Sequence, residues 1–348
     1  MPRLRRVDCS SPGIVRRGRG RSFEFLDEEG ERIDDEEVLE RIRELVIPPA
    51  WRDVWICPYP YGHIQAVGTD AAGRRQYLYH ALWRERRDQE KFDEMLRFAR
   101  ALPGLRRKAA KHLTQRGLTR ERVLACAVRL LDRGFFRVGT EDYAVENRTF
   151  GLATMEKRHV TLEEDGVLRF DYVGKGGKRR VQSIVDPEVY ELVAALKRRR
   201  SGPELLAYKN GRSWVDVRSD DINDYIKQVT GQGFSAKDFR TWNATVIAAL
   251  ALAVSGRAAE TKTARKRAIT RAIEEVAHYL GNTPAVCRAS YIDPRVFDRY
   301  QDGYTIGGAL DKLGEDIDLG QPSFQGAVEE AVLDLLEDER TPAIEKVA

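Results

Sequence analysis

Residues 159–185 read HVTLEEDGVLRFDYVGKGGKRRVQSIV. Polar and apolar residues alternate in three short runs, which are 159–163, 167–173 and 179–185. Asp165-Gly166 separates the first two runs and Gly174-Lys175-Gly176-Gly177 the last two, and both are typical turn sequences. The stretch therefore predicts a three-stranded antiparallel meander, with Lys175 at a hairpin tip where it can reach a bound polyanion.

Long amphipathic stretches flank the predicted meander on both sides. Their apolar residues recur at helical spacing. Asp186-Pro187-Glu188 adds a cap residue, a proline at the first helical position and an acid in the first turn. The predicted helices are 82–101, 119–133, 187–199, 219–229, 237–254 and 259–280, and the tail 321–339 also has helical periodicity.

The first part of the chain has a different texture, with short β-like runs broken by Gly, Pro and Asp. These runs are 22–26, 54–57, 64–69 and 76–79, with one helix near 35–45. The sequence therefore predicts an α+β protein of two domains. Residues 1–90 form a small N-terminal antiparallel β-sheet domain, and residues 91–348 form a larger, mainly α-helical domain that contains the meander.

Charge is distributed unevenly along the 348 residues. One third of them (33%) are charged, but the formal net charge is only +4, so bulk charge argues weakly for a polyanionic partner. Arginines crowd the first 21 residues, and acids concentrate in 27–37 and 329–339. A basic face fits this pattern, as do solvated helix faces. The sequence leaves open whether the first twenty residues are ordered or form a mobile arm that folds on a partner.

Several classes of protein lose support because their sequence signatures are missing. There is no GxGxxG, GxxxxGK[ST], GxSxG or HExxH, which disfavours nucleotide hydrolysis and metallohydrolysis. The four cysteines form no CxxC pair and the five histidines show no ligand spacing, so we expect reduced thiols and no metal or other cofactor. No run approaches the roughly 20 apolar residues of a membrane span, and we expect a cytoplasmic protein.

A dispersed set of short motifs carries the functional signal. In order, they are Ile47-Pro48-Pro49 with the segment GTDAAGRRQYLY (68–79), Phe136-Arg137-Val138-Gly139 followed by Tyr143, Glu146-Asn147, Thr149 and Gly151-Leu152, then Val173-Gly174-Lys175, Lys237-Asp238-Phe239-Arg240-Thr241-Trp242, and Leu280-Gly281-Asn282-Thr283-Pro284 through Ser290-Tyr291. In residue type, order and spacing this set resembles the motifs of the poxvirus-like and bacterial type IB DNA topoisomerases. The resemblance covers most of the chain.

The resemblance implies a C-shaped clamp around duplex DNA and assigns candidate site residues. Tyr291 would be the nucleophile, Arg137 and Arg240 would hold the nonbridging phosphate oxygens, and Lys175 would be the general acid. Asn282 stands where many members of the family carry histidine. The expected DNA contacts are Arg74, Arg75, Gln76, Tyr77, Tyr79 and Tyr143.

Elementary chemistry requires the same residue types. A phosphodiester is a poor electrophile with a poor leaving group, so cleavage without metal needs a nucleophile, cations and an acid. An unperturbed tyrosine with a pKa near 10 is only about 0.1% ionised at pH 7, so neighbouring cations must favour the phenolate of Tyr291. The guanidinium fork suits phosphate oxygens. Asn282 can donate a hydrogen bond but cannot move a proton.

The function that the resemblance implies is relaxation of supercoiled duplex DNA. One strand would be cleaved through a 3′-phosphotyrosyl intermediate and resealed by the free 5′ hydroxyl, without ATP or metal. The enzyme would act as a monomer on the DNA of the nucleoid. Two alternatives stay open: a tyrosine site-specific recombinase, whose tetramers use similar chemistry, and a DNA-binding clamp without activity. The 68–79 segment disfavours the first and the intact set Arg137, Lys175, Arg240 and Tyr291 the second.

Overall fold

The computed structural model describes residues 3–20, 22–141, 144, 148–256, 261–313, 325–339 and 341–346. The chain forms two compact units, whose boundary lies between Phe92 and Asp93. No helix in these described ranges is long and apolar enough to cross a membrane.

The N-terminal unit is built on an antiparallel sheet that has five strands among the described residues, in the order β2-β1-β3-β4-β5. The elements are β1 (Ile14–Arg19), β2 (Ser22–Leu26), α1 (Glu36–Glu44), β3 (Arg52–Ile56), β4 (Ile64–Thr69) and β5 (Arg75–Tyr79). Ile42 of α1 packs with buried residues of the sheet such as Ile14 and Ile56. The predicted N-terminal sheet domain is therefore confirmed in its fold.

Strand β1 was not predicted, and it settles part of the question about the arginine-rich start. Residues 14–19 pair with β2 and β3, and Arg5 forms a bridge with Gly62. The Arg16 guanidinium donates to the carbonyl oxygens of Pro48 (3.2 Å) and Trp51 (2.6 Å). Arg16 thus satisfies backbone acceptors of its own unit, and this part of the arginine-rich segment is ordered sheet.

The second unit is mainly helical, as predicted. Its elements are α2 (Ala81–Leu113, which begins before the boundary), α3 (Arg120–Gly134), β6 (Val160–Leu162), β7 (Val167–Gly174), β8 (Lys178–Val185), α4 (Pro187–Lys197), β9 (Ala207–Asn210), β10 (Ser213–Asp216), α5 (Ser219–Thr230), α6 (Ala236–Gly256), α7 (Lys262–Leu280), α8 (Pro284–Ser290), α9 (Pro294–Gln301), β11 (Tyr304–Thr305), α10 (Gly307–Leu313), α11 (Ala327–Glu337) and β12 (Glu345–Lys346). Strands β6, β7 and β8 form the predicted meander.

Helix α2 is longer than predicted. Pro103 is a strong signal for a helix end, because proline removes a backbone donor and costs about 3 kcal/mol within a helix. The helix nevertheless continues to Leu113. Leu102, Leu105 and Ala109 are all buried, so the apolar stripe continues past the proline and its packing outweighs the local cost.

Helix α6 is the centre of the second unit. It packs against α3, α7, α9, α10 and α11, and most of its residues are buried, including Phe239 and Trp242. A helix that is apolar on nearly every side is expected only in the middle of a core. Arg240 lies on this helix and is buried with it, which makes it unusual for an arginine.

Candidate active site

Arg240 is held at the centre of the candidate site by backbone carbonyl groups. Its Nη1 donates to Phe135 O (2.5 Å) and its Nη2 to Leu280 O (3.0 Å). The side chain is only 4% exposed. Within the described residues it forms no ion pair with a carboxylate, and its Nε has no hydrogen-bond partner. A buried guanidinium without a counter-ion is costly, so the site is suited to receive an anion.

Arg137 follows α3 on a loop whose path depends on two glycines. Gly139 has φ +79°, and a Cβ on Gly151 would lie 2.5 Å from Gly139 Cα. The close approach lets Leu152 N donate to Arg137 O (2.8 Å) and Ala153 N to Val138 O (2.7 Å). These contacts explain physically why the motif that begins with Phe136-Arg137 contains two glycines twelve residues apart.

Lys175 lies at the tip of the hairpin between β7 and β8, as the sequence predicts. The register pairs Gly174 with Lys178 across the tip. Phe150 N donates to Val173 O (2.7 Å), which connects the loop that carries Arg137 to this lysine hairpin. Lys175 is exposed at the surface and lines the same pocket as the arginines.

Tyr291 comes directly after the short helix α8. Thr283 caps that helix, its side chain accepts from Val286 N, and Pro284 occupies the first turn. On α6, Thr245 accepts from Asp293 N (3.1 Å) through its Oγ1. The tyrosine segment is therefore fixed to the helix that carries Arg240.

Asn282 joins the group through Arg137, whose Nη2 donates to Asn282 Oδ1. The Nδ2 of Asn282 is buried and, apart from a contact with the Cys287 thiol, has no hydrogen-bond partner among the described residues. Gly281, at φ +65°, ends α7 just before Asn282. Because Oδ1 faces a guanidinium, Nδ2 is the side-chain group left to donate to a ligand.

Arg137, Lys175, Arg240 and Tyr291 line one pocket of about 320 Å³. The guanidinium carbon of Arg240 lies 5.3 Å from the centroid of the Tyr291 ring. Burial raises the pKa of the Tyr291 phenol, but the charges of Arg240 and Arg137 and hydrogen bonds with both outweigh it, so the pKa falls below the ordinary tyrosine value. Burial and the charge of Arg137 lower the pKa of Arg240 to about 10, which leaves it charged at neutral pH.

The structure divides the predicted DNA contacts of the N-terminal unit into two groups. Arg75, Tyr77 and Tyr79 share the exposed face of β5, and the two tyrosine rings are stacked with centroids 6.1 Å apart. Arg74 and Gln76 instead donate to Asp70 (both 2.9 Å). Hydrogen bonds from the backbone and side chain of Arg74 lower the pKa of Asp70 to about 2. Asp70 thus organises the turn that presents the other three side chains.

Two further residues bear on the predicted site: Tyr143, which the sequence predicted, and Arg180, which it did not. Tyr143, predicted to contact DNA, is outside the described residues. Arg180 of β8 donates to His278 O (3.0 Å) and Tyr279 O (2.5 Å), the carbonyl groups at the end of α7. Arg180 therefore connects the lysine hairpin to the segment of Asn282. Its partners are almost a hundred residues away, so no local pattern reveals this role.

Comparisons with known proteins agree with this geometry. The family model described as eukaryotic DNA topoisomerase I, catalytic core, matches residues 80–307, and that of the bacterial DNA topoisomerase IB N-terminal domain matches residues 22–70. The chain therefore belongs to the type IB DNA topoisomerase family.

Individual relatives support the same assignment. DNA topoisomerase 1B of Acanthamoeba polyphaga mimivirus is 30% identical over 297 residues, which cover 83% of this chain and 88% of that protein. DNA topoisomerase 1B of vaccinia virus (strain Copenhagen) is 22% identical over 275 residues, which cover 77% of this chain and 84% of that protein. DNA topoisomerase 1 beta of Arabidopsis thaliana matches a shorter part, 49% of this chain and 18% of that protein, at 26% identity.

Proposed function

We propose that this protein relaxes supercoiled duplex DNA by cleaving one strand with Tyr291 and resealing it. The observation that carries the proposal is the pair of guanidinium groups beside one phenol: Arg240 and Arg137 share a pocket with Tyr291 and lower its pKa. A tyrosine in this environment is activated for attack on a phosphate.

The reaction has two transesterification steps. The Tyr291 oxygen attacks the phosphorus, the bond to the 5′ oxygen breaks, and a 3′-phosphotyrosyl ester forms. Lys175 supplies the proton that the leaving 5′ oxygen requires. In the second step the 5′ hydroxyl returns its proton to Lys175 and attacks the phosphotyrosyl phosphorus, the bond to the Tyr291 oxygen breaks, and Tyr291 leaves as the phenolate.

Charge on the nonbridging oxygens grows during both steps, and fixed donors stabilise it. Arg137 and Arg240 provide two guanidinium groups that the fold already holds in place. Asn282 provides the buried Nδ2 amide as a neutral donor. Such preorganised donors need little rearrangement when the charge develops.

The chemistry requires neither ATP nor a metal ion. The phosphotyrosyl ester keeps much of the energy of the broken phosphodiester, so resealing needs no external energy source. The two arginines supply the positive charge that a metal would otherwise provide at the phosphate. Superhelical tension drives rotation of the cleaved duplex, which favours supercoiled DNA as the substrate.

Contacts of the N-terminal unit with DNA are also part of the proposal. The exposed face of β5 presents Arg75 to phosphates and the stacked rings of Tyr77 and Tyr79 to bases or sugars. Arg74 and Gln76 act indirectly, through the turn that Asp70 organises. DNA in the cytoplasmic nucleoid is the expected target.

A monomer is sufficient for this reaction. The pocket residues Arg137, Lys175, Arg240 and Tyr291 all come from the second unit of one chain. The C-terminal helix α11, which lies within the tail 321–339 predicted to be helical, packs against α6 of its own chain. The observation favours a topoisomerase over a recombinase, which needs a helix to exchange between subunits.

The experiment that tests the proposal is relaxation of negatively supercoiled plasmid in EDTA without ATP. Wild type should relax the plasmid and Tyr291→Phe should not, although it binds DNA normally. Tyr279→Phe is the matched control, because this tyrosine is 43% exposed and outside the 320 Å³ pocket. Relaxation by Tyr291→Phe, or none by wild type, would refute the proposal.

A further inference from the structure

A buried polar cluster lies on α6 near the candidate active site. It contains Trp242 of α6, Glu329 of α11, Arg106 of α2 and Asp132 of α3. Trp242 is fully buried, Asp132 is 2% exposed and Glu329 is 7% exposed. None of these side chains lines the pocket of Tyr291. Charged groups this deeply buried require partners, and the cluster supplies them.

The hydrogen bonds of the cluster converge on two carboxylates. Trp242 Nε1 donates to Glu329 Oε1 (2.8 Å). Arg106 donates to both oxygens of Glu329 (2.5 and 3.0 Å) and to both oxygens of Asp132 (2.8 Å each). Gln325 Nε2 adds a bond to Asp132 (3.0 Å). Glu329 is thus the acceptor that links the C-terminal helix to α6 and, through Arg106, to α3.

The helices joined in this way are those that position the two catalytic arginines. Trp242 lies two residues after Arg240 on α6. Asp132 lies near the end of α3, three residues before Phe135, whose carbonyl oxygen accepts from Arg240. Asn243 Nδ2 also donates to Asp132 O (3.1 Å). A shift of α6 against α3 would therefore move Arg240.

Glu329 comes from a part of the chain that the catalytic-core family model does not cover, since that match ends at residue 307. Helix α11 nevertheless contacts α6, and its Glu329 carboxylate accepts the hydrogen bond from Trp242 Nε1. The C-terminal segment of this chain is thus structurally part of the catalytic unit.

We propose that Glu329 is a positioning residue that holds Arg240, and through the end of α3 also Arg137, in register with Tyr291. The inference rests on the proposed function. Without the carboxylate, the indole N–H of Trp242 is buried without an acceptor and Arg106 loses one of its two partners. Because a catalytic group must lie within about 0.5 Å of its productive place, a small shift of α6 slows the reaction.

The test is single-turnover cleavage of a DNA strand that releases its short 5′-hydroxyl fragment and so cannot be resealed. Glu329→Ala should lower the rate constant about tenfold at unchanged DNA affinity and unchanged final yield. Glu329→Gln, which keeps an acceptor for Trp242, should recover part of the rate. Glu330→Gln is the matched control, since the neighbouring Glu330 is exposed on the same helix.

A second substrate separates positioning from a purely structural role. When a methyl group replaces one nonbridging oxygen of the scissile phosphate, the negative charge that the arginines neutralise is gone. The rate loss of Glu329→Ala should then largely disappear.

Two results would overturn the inference. One is a lower yield with an unchanged rate constant, which indicates only a smaller folded fraction. The other is an equal rate loss of Glu329→Ala on the ordinary substrate and on the methyl-substituted one. If Glu329→Ala does not fold, Glu329→Gln and Trp242→Phe are judged by the same criteria. Failure of wild type to form any adduct would instead contradict the proposed function.

Discussion

Arg137 donates a hydrogen bond to Asn282 Oδ1, and this bond joins the loop after α3 to the segment that leads to Tyr291. Because Oδ1 accepts from the guanidinium, the amide nitrogen Nδ2 is the group that can donate to a bound phosphate. We propose that the asparagine has two functions, one for each end of its amide.

Substitution of Asn282 separates these functions. Asn282→Ala loses both and should slow cleavage about 100-fold, the usual cost of one lost donor to a developing oxyanion. Asn282→Asp keeps an acceptor for Arg137 but places a negative charge where the donor was. We expect Asn282→Asp to be at least as slow as Asn282→Ala in single-turnover cleavage. A nearly normal rate for Asn282→Asp would show that only the contact with Arg137 matters.

The pH dependence of cleavage follows from the lowered pKa of Tyr291. A group whose pKa is depressed is ionised at a lower pH, so the phenolate fraction at neutral pH is larger than for free tyrosine. The rate should rise with pH to a plateau whose midpoint lies below about 10. In Arg137→Ala one of the lowering charges is absent, and the midpoint should move to higher pH. The measurement is a pH profile of single-turnover cleavage, and an identical midpoint in both proteins argues against the charge effect.

The role of Lys175 is tested by changing the leaving atom. Lys175→Ala should slow cleavage of ordinary DNA by about 10²–10⁴. When sulfur replaces the 5′ oxygen, the leaving group departs without a proton and the loss should nearly vanish. Lys178→Ala is the control, because Lys178 begins strand β8 of the same hairpin, pairs with Gly174 and is exposed. Equal losses on both substrates would remove Lys175 from the role of acid.

The contact between Gly139 and Gly151 predicts a stability effect. A methyl group on Gly151 would lie 2.5 Å from Gly139 Cα, so the Arg137 loop must move or strain. Gly151→Ala should lower the free energy of unfolding by about 1–3 kcal/mol and slow cleavage as well. Gly233→Ala, at a site where nothing lies within 4 Å, should change neither. Urea unfolding measures the change in stability. Unchanged stability of Gly151→Ala would contradict the close approach of Gly139 and Gly151.

Local patterns predicted most of the fold and did so for physical reasons. Alternation and turn residues identified the meander, and helical periodicity identified α3 to α7 to within a few residues. The pattern failed where a long-range effect decided the outcome. Strand β1 is rich in arginine, but it pairs with β2 and β3, and the carbonyl groups of Pro48 and Trp51 accept hydrogen bonds from Arg16. Helix α2 passes Pro103 because a buried stripe continues beyond it.

In the candidate site, too, local motifs were predictive and long-range contacts were not. The motifs identified Arg137, Lys175, Arg240 and Tyr291, and the fold brings all four to one pocket. Their spacing does not show what holds them there. The hydrogen-bond partners of Arg180 and Glu329 in other elements of the fold lie between 87 and 223 residues away in the sequence, so neither residue has a local signal. The division of the 74–79 segment into an exposed face and a turn held by Asp70 depends on side-chain contacts that the sequence does not show.

The central claim is that Tyr291 becomes covalently attached to the 3′ phosphate of one DNA strand. The direct measurement is to trap the adduct on a DNA strand that cannot be resealed, with label on either side of the break, and to map the modified tryptic peptide. The account predicts that the upstream label is retained and that the modified peptide spans Ala289 to Arg295. Retention of the downstream label, or attachment to a peptide without Tyr291, would contradict it.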